Sequence, residues 1–229
     1  MDFVKTLKRE RILLLGGAGF IGHNLALRLA KLDIDVLVMD NLGVNSLVDH
    51  SFGSGTDSFK SKLYISFLMD RLKLMKNSGV KFVNSDARRE NEVNKILNEY
   101  SPTKVIHLSA IASAVQAKQN PRLCFELQLN TLQVLLENIR TTKNNINQVV
   151  FLSSSTVYGD FDTKIVNEDT RPKPNGIYAN TKLMAERLIR TYCHQYGLNI
   201  SVVRPSALYG ERCVSRRVGQ IFIENAIQN

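Results

Sequence analysis

Cysteine is scarce and scattered. The 229 residues hold three, Cys124, Cys193 and Cys213, an odd number at spacings that suit neither a disulfide framework nor a metal site. Reduced structural thiols are the expectation. The four histidines, His23, His50, His107 and His194, show no paired spacing, so no metal centre is expected. No apolar run approaches the roughly 18 residues that a membrane span needs. The basic N-terminal residues have no apolar core behind them, so no secretory leader is read and a cytoplasmic location is expected. Internal repeats, linkers and helix-turn-helix, zinc-finger or RNP patterns are also missing. That bears on the net charge of +9. Lys and Arg are spread along the chain rather than gathered into a patch, and a polyanionic small molecule explains them as well as nucleic acid does. Nucleic acid is not an expected partner.

A hydrophobic fraction of 44% and a charged fraction of 22% suit a globular domain with one good core. Near-continuous Val/Ile/Leu runs at 11–15, 34–39, 80–84, 104–109, 148–153 and 199–204 alternate with stretches of helical character. Such runs mark strands buried on both faces, and the spacing leaves room for a helix between each pair. The pattern predicts an α/β fold: a doubly wound parallel sheet of Rossmann type with helices on both faces. Residues 1–229 are read as one such domain. A Ser/Gly-rich segment at 45–56, read as a loop, precedes a helical stretch at 60–76. This stretch carries Leu63, Phe67, Leu68, Leu72 and Met75 on one side. Nothing in the sequence states what that insertion does.

The first strand runs straight into Gly16-Gly17-Ala18-Gly19-Phe20-Ile21-Gly22, which opens a helix. Glycines let the backbone turn tightly and come close to a pyrophosphate, and the helix N-terminus supplies unpaired N–H groups at the positive end of its dipole. Asp40 ends the second strand 18 positions after Gly22, where its carboxylate can accept hydrogen bonds from an adenosine ribose. A carboxylate there repels a 2′-phosphate, which favours NAD over NADP. Asp86, after the third strand, is read either as an acceptor for the adenine amino group or as a loop or helix-capping aspartate. Asn41 and Ala87, beside the two aspartates, complete this part of the expected cofactor site.

Tyr178 and Lys182 stand four apart in a helical stretch, hence on one face and one turn apart. A tyrosine, with a pKa near ~10, is a weak base at neutral pH. A neighbouring ammonium stabilises the phenolate and makes the tyrosine a usable base. The run Ser153-Ser154-Ser155-Thr156-Val157-Tyr158-Gly159 follows the fifth strand, at the end of the sheet where ligands bind, and hydroxyls there can hold a substrate oxygen.

Together the pieces GGAGFIG (16–22), MDNL (39–42), VIHLSA (105–110), SSSTVYG (153–159), YANTK (178–182) and RPSALYGER (204–212) resemble the extended short-chain dehydrogenase/reductase family. The nucleotide-sugar epimerases and dehydratases are the nearest branch, and the pieces run in that family's order over almost the whole chain. The resemblance implies that Ser154 is the catalytic hydroxyl beside Tyr178 and Lys182. It implies that Leu108, Ser109, Ala110 and Asn130 line the cofactor, that Pro205 lies near the nicotinamide, and that Arg212 approaches substrate phosphate. It also implies a homodimer through helices near 122–140 and 178–196, with burial inside the monomer as the plainer reading of those faces.

Two departures shape the expectation. The 4,6-dehydratases of the family carry Thr-Asp-Glu where this chain has Ser154-Ser155-Thr156, so the acid and base for water elimination are missing. Many members have Asn where this chain has Ala207. The chain also reads as lacking the smaller C-terminal domain with which the family grips the nucleotide-sugar. The expected function is an NAD-dependent epimerase acting on a nucleotide-sugar, a UDP-sugar first, through a transient keto-sugar. The alternatives are a reductase or dehydratase of the same family, or a catalytically incompetent NAD-binding fragment. The helical stretch at 60–76 is faintly similar to uronic-acid 4-epimerases.

Overall fold

The computed structural model describes residues 7, 9–44, 58–111, 113–161, 164–214 and 218–228. The loop read at 45–56 lies outside the described residues.

Six strands form one fully parallel sheet: β1 (Arg11–Leu15), β2 (Asp35–Asp40), β3 (Lys81–Asn84), β4 (Lys104–His107), β5 (Gln148–Leu152) and β6 (Ile200–Val203). Their order across the sheet is β3-β2-β1-β4-β5-β6. The chain therefore winds outward one way from β1 and then, from β4, the other way. The break between β1 and β4 is the place where such sheets open a ligand crevice at the carboxyl ends of their strands. The predicted strands all occur. The fourth stops at His107 rather than running to 109, because its neighbour β1 ends at Leu15 and the last cross-link, the Leu108 N–H to the Leu15 carbonyl at 2.8 Å, closes the ladder.

Alternation along β1 explains its unbroken apolar run. Leu13 and Leu15 pack on one face with Val93, Ile96, Leu97 and Tyr100 of α3 (Glu90–Tyr100) and with Val134 and Leu135 of α6 (Thr131–Thr141). Ile12 and Leu14 pack on the other face with Ala26 and Leu29 of α1 (Phe20–Lys31) and Met75 of α2 (Ser58–Asn77). Each fully buried Leu or Ile contributes about 1.5–3 kcal/mol of transfer free energy. A one-residue slip would exchange the two faces. The helix α3 shows the rule in miniature: its apolar positions fall at i, i+3, i+4 and i+7, and it stops at Ser101 with φ +48, whose N–H closes on the Leu97 carbonyl.

Between β4 and α6 lie α4 (Ala114–Gln119), α5 (Pro121–Phe125) and a π turn at Glu126–Asn130. The helix α7 (Gly176–Tyr196) follows β5 and packs Ala185 and Ile189 on Phe151 beside Leu132 and Leu136 of α6. The inner faces of α6 and α7 are thus buried within the monomer. The last helix is α8 (Val218–Gln228). No helix among the described residues is long and apolar enough to cross a membrane.

Candidate active site

The crevice at the carboxyl ends of β1, β2, β4 and β5 encloses about 370 Å³. Gly16, with φ +76, makes the first turn. A Cβ there would sit 2.6 Å from the Ser109 backbone nitrogen, so only glycine lets the β1 and β4 ends approach. Gly19 is different. Its φ is −66, and the nearest atom to an added Cβ would be the Gly16 carbonyl oxygen at 3.5 Å, an ordinary contact. Neither backbone nor packing requires glycine at 19, and the space over it is open to the crevice. The helix it opens, α1, has no side-chain cap and no acidic residue in its first turn, so its N–H groups face the crevice free for an anion.

Asp40 has a role that the sequence did not announce. Its two carboxylate oxygens accept the backbone N–H groups of Ala18, at 2.9 Å, and Leu42, at 2.8 Å. It therefore braces the glycine turn as well as facing the crevice. Burial pushes its pKa up, and those two N–H donors oppose the shift. Asp86 also lines the crevice, but Arg88 grips it through Nε at 3.0 Å and Nη2 at 2.6 Å, and Asn41 donates to it at 3.2 Å. The hydrogen bonds from Arg88 hold its pKa down. The Arg88 backbone N–H also reaches its Oδ1, so the loop-holding role is directly visible.

On the opposite wall, Lys182 is 4% exposed and donates to the Leu152 carbonyl at 2.7 Å, with its ammonium 5.0 Å from the centre of the Phe151 ring. Burial lowers its pKa to about 8, while Cys124 and Glu186 favour the charge. Tyr178, one turn earlier on α7, lines the same crevice and packs against the cluster of Ile111, Ala117, Cys124 and Leu127. Ser154 ends the β5 extension. Its Oγ accepts from the Thr156 N–H at 3.2 Å and from the Thr156 hydroxyl at 2.9 Å, which leaves its own hydrogen to point elsewhere. An ion pair between a buried carboxylate and a partly exposed guanidinium holds this wall. Glu186, one turn beyond Lys182, receives Arg204 at 2.6 and 3.0 Å and the Ser153 hydroxyl, and Arg204 also donates to the Tyr158 hydroxyl at 2.7 Å. Three segments, α7, the serine turn and the end of β6, meet at one carboxylate.

Below Lys182 lies His107, fully enclosed. The Thr131 hydroxyl donates to the Leu127 carbonyl at 2.8 Å and so accepts from His107 Nε2 at 3.0 Å. That fixes the tautomer. Burial, with Lys182 nearby, drops the imidazole pKa to about 3.

All but one of the cofactor positions expected from the sequence border this crevice, as do Ser154, Tyr178 and Lys182. The exception is Asn130, which is exposed; the π turn brings Leu127 and Thr131 to the wall instead. Arg212 is a second correction. Its guanidinium turns to the back of α1, onto His23 Nε2 at 3.1 Å, Asn24 at 3.2 Å and Glu211 at 2.8 Å, rather than into the crevice. The His23 ring meets the Gly19 carbonyl through Nδ1 at 2.9 Å, and burial lowers its pKa to about 4. The cation at this end of the crevice is Arg71, from the insertion. With Leu68 and Leu72 it forms a wall that the sequence analysis left without a role. Arg71 is 2% exposed. An apolar-pattern reading passes over a charged residue, although Tyr64, Leu68, Arg71 and Met75 follow a clean helical spacing and are the buried face of α2.

Residues 12–229 match the model of the NAD dependent epimerase/dehydratase family. The chain belongs to that family. It is 29% identical over 218 residues to CDP-paratose 2-epimerase from Salmonella typhi, covering 88% of this chain and 58% of the relative. It is 29% identical over 209 residues to UDP-glucuronate 4-epimerase 2 from Arabidopsis thaliana, covering 90% and 44%. Among solved structures, UDP-glucose 4-epimerase from Thermotoga maritima, with UDP-glucose, superposes with a TM-score of 0.77 at 25% identity over 95% of this chain and 63% of that one. UDP-glucuronic acid 4-epimerase from Bacillus cereus, in complex with NAD, gives 0.74 at 25% identity with the same coverage. The chain spans about half the length of the curated relatives it matches.

Proposed function

We propose that this chain binds NAD along the crevice and acts as an epimerase on a nucleotide-sugar, a UDP-sugar first among candidates. The observation that carries the reading is the meeting of Tyr178, Lys182 and Ser154 on one wall of a crevice whose other wall is the glycine turn. In this reading the N–H groups at Gly19, Phe20, Ile21 and Gly22 hold the diphosphate, Asp40 and Asn41 hold the adenosine ribose, and Asp86 and Ala87 border the adenine. Leu108, Ser109, Ala110 and Pro205 frame the remaining length toward the nicotinamide. The cofactor supplies a hydride acceptor that can return what it takes. Tyr178 takes the proton of a sugar hydroxyl, and the Lys182 ammonium favours the phenolate that does so. Ser154, held from behind by Thr156, donates to the same oxygen. The keto-sugar that forms is reduced from its other face, and the carbon is inverted. No acid/base pair for water elimination stands at Ser155 and Thr156. Cytoplasmic placement, a single Rossmann-type domain and pairing of two copies through α6 and α7 belong to the same reading.

The test is incubation with UDP-sugars in the absence of added NADH, with the sugar anomeric and C4 proton signals followed by NMR. Epimer formation is expected, and Tyr178→Phe should lower the rate on the order of 10²–10⁴-fold while NAD binding persists. A need for stoichiometric NADH would replace epimerase by reductase. The other reading is dinucleotide binding without turnover. NAD binding with no product from any sugar would select it.

A further inference from the structure

Among the described residues no ion pair holds the buried Arg71, and only Cys213 and Asp40 favour its charge without bonding to it. Its Nη2 and Nε donate to the Arg212 carbonyl at 2.5 and 3.2 Å, and no carboxylate among the described residues pairs with it. The nearest acid, Asp40, already gives its two oxygens to backbone N–H groups. Arg212 adds a second positive charge beside it. Buried guanidiniums are normally paired, since an isolated charge in the interior is costly. This one is not withdrawn from all partners, because it borders the crevice beside Gly19, Phe20 and Ile21, where the free N–H groups of α1 converge.

The position is also built rather than accidental. Arg212 adopts φ +58, a left-handed backbone that turns its carbonyl toward Arg71. Tyr64 of α2 donates to the buried Glu224 of α8 at 2.6 Å, and Tyr64 and Leu68 pack on Val214. With Met75 packed against Ile12 and Leu14 on the far side, α2 is held on both sides of the arginine, which fixes the guanidinium before any ligand arrives.

We propose that Arg71 is the cationic contact for the diphosphate of the bound dinucleotide, so that the insertion helix supplies the charge that the glycine turn lacks. The inference rests on the reading of the crevice as an NAD site. The diphosphate lies against uncharged N–H donors on one side and this single arginine on the other. The ligand then completes the electrostatics of the fold: an anion in, a buried cation neutralised.

The experiment is a set of titrations of wild type, Arg71→Met, Arg71→Gln and Arg71→Lys with NAD, NADP and ADP, and with adenosine as competitor. Arg71→Met and Arg71→Gln should weaken NAD and ADP about 10- to 100-fold, the range of a charge-assisted hydrogen bond. Adenosine should change less than about twofold, because it carries no phosphate, and Arg71→Lys should recover most of the loss, since it restores the charge. Unchanged NAD and ADP binding in both neutral variants overturns the proposal. So does an equal loss for adenosine, which makes Arg71 a structural residue. A larger loss for NADP than for NAD would move the contact to the ribose 2′-phosphate and overturn the diphosphate assignment. Wild type that binds neither NAD nor ADP sinks the NAD reading itself, a result separable from all of these.

Discussion

Two arginines, Arg71 lining the crevice and Arg204 behind its opposite wall, have opposite surroundings. Arg204 sits between Glu186 and the Tyr158 hydroxyl, and the hydrogen bonds to Glu186 push its pKa up. Arg71 donates to a carbonyl, and burial pulls its pKa down to about 10, with Cys213 and Asp40 favouring the charge and Arg212 opposing it. The wall that carries Tyr178 and Lys182 is thus backed by a closed electrostatic unit, complete without a ligand. The insertion wall is an open one. A fold can hold a buried charge in either state, but the unpaired state is sustained by surrounding packing and is relieved by a ligand.

The comparison breaks most visibly at Glu186. Glu186→Gln should destabilise the protein by about 3 kcal/mol in chemical denaturation, because it removes the charge opposite the mostly buried Arg204 and weakens the acceptor of Ser153. A loss under about 1 kcal/mol would mean that the catalytic wall is not held by this pair.

Acid tests both walls at once, through His23 behind the glycine turn and His107 under Lys182. Both are held neutral by burial, with pKa values lowered to about 4 and about 3. As pH falls below ~6.5, the unfolded chain takes up protons that the folded chain refuses until those lower values. Stability therefore falls as pH drops from 6.5 toward 4. At pH 5 each histidine should account for about 2 kcal/mol of the loss. Urea midpoints at pH 7 and pH 5 should show it, and His107→Asn should flatten the slope by its own share. A midpoint that stays constant would contradict the neutral, buried assignment.

A smaller effect is expected at the hydroxyl relay. Thr156→Val removes one of two donors to Ser154, and turnover should fall about fivefold, the worth of roughly 1 kcal/mol, with the KM for the sugar little changed. Thr156→Ser should restore it.

The smallest effect is the contrasting one. Without ligand, Arg71→Met should shift stability by no more than about 1 kcal/mol, since an apolar chain of similar length replaces an uncompensated charge. Adding NAD should then separate the variants: wild type gains more thermal stability than Arg71→Met at equal ligand concentration. Equal gains would erase the distinction between the two walls.

Much of this molecule is legible in the chain. The six strands could be read because parallel strands buried on both faces carry unbroken apolar runs, and Leu13, Leu14 and Leu15 at 0% exposure bear that out. The glycine turn could be read because a strand, a tight turn and a helix start must be contiguous. Tyr178 and Lys182 could be read because a helix fixes the relation of i to i+4. Illegible were the contacts that join distant segments. Glu186 looked like any polar helix residue until Arg204, 18 residues on, and Ser153, 33 residues back, came to it. Asn130 was placed by family pattern on the cofactor wall, but a π turn, which no residue spacing announces, moved the wall to Leu127 and Thr131.

What the sequence determined by itself was everything governed by local periodicity and by the chemistry of contiguous residues: the strand count, the phosphate turn, the tyrosine–lysine pair. What only the tertiary structure decided was which charges are paired. Arg71 and Arg212 are equally basic on paper, and family pattern assigned Arg212 to phosphate. The fold turned Arg212 away from the crevice, onto the buried His23, and buried Arg71 against the crevice. The energy of a charge depends on its solvation and on partners far away in sequence, and both are set only when the chain has closed around it.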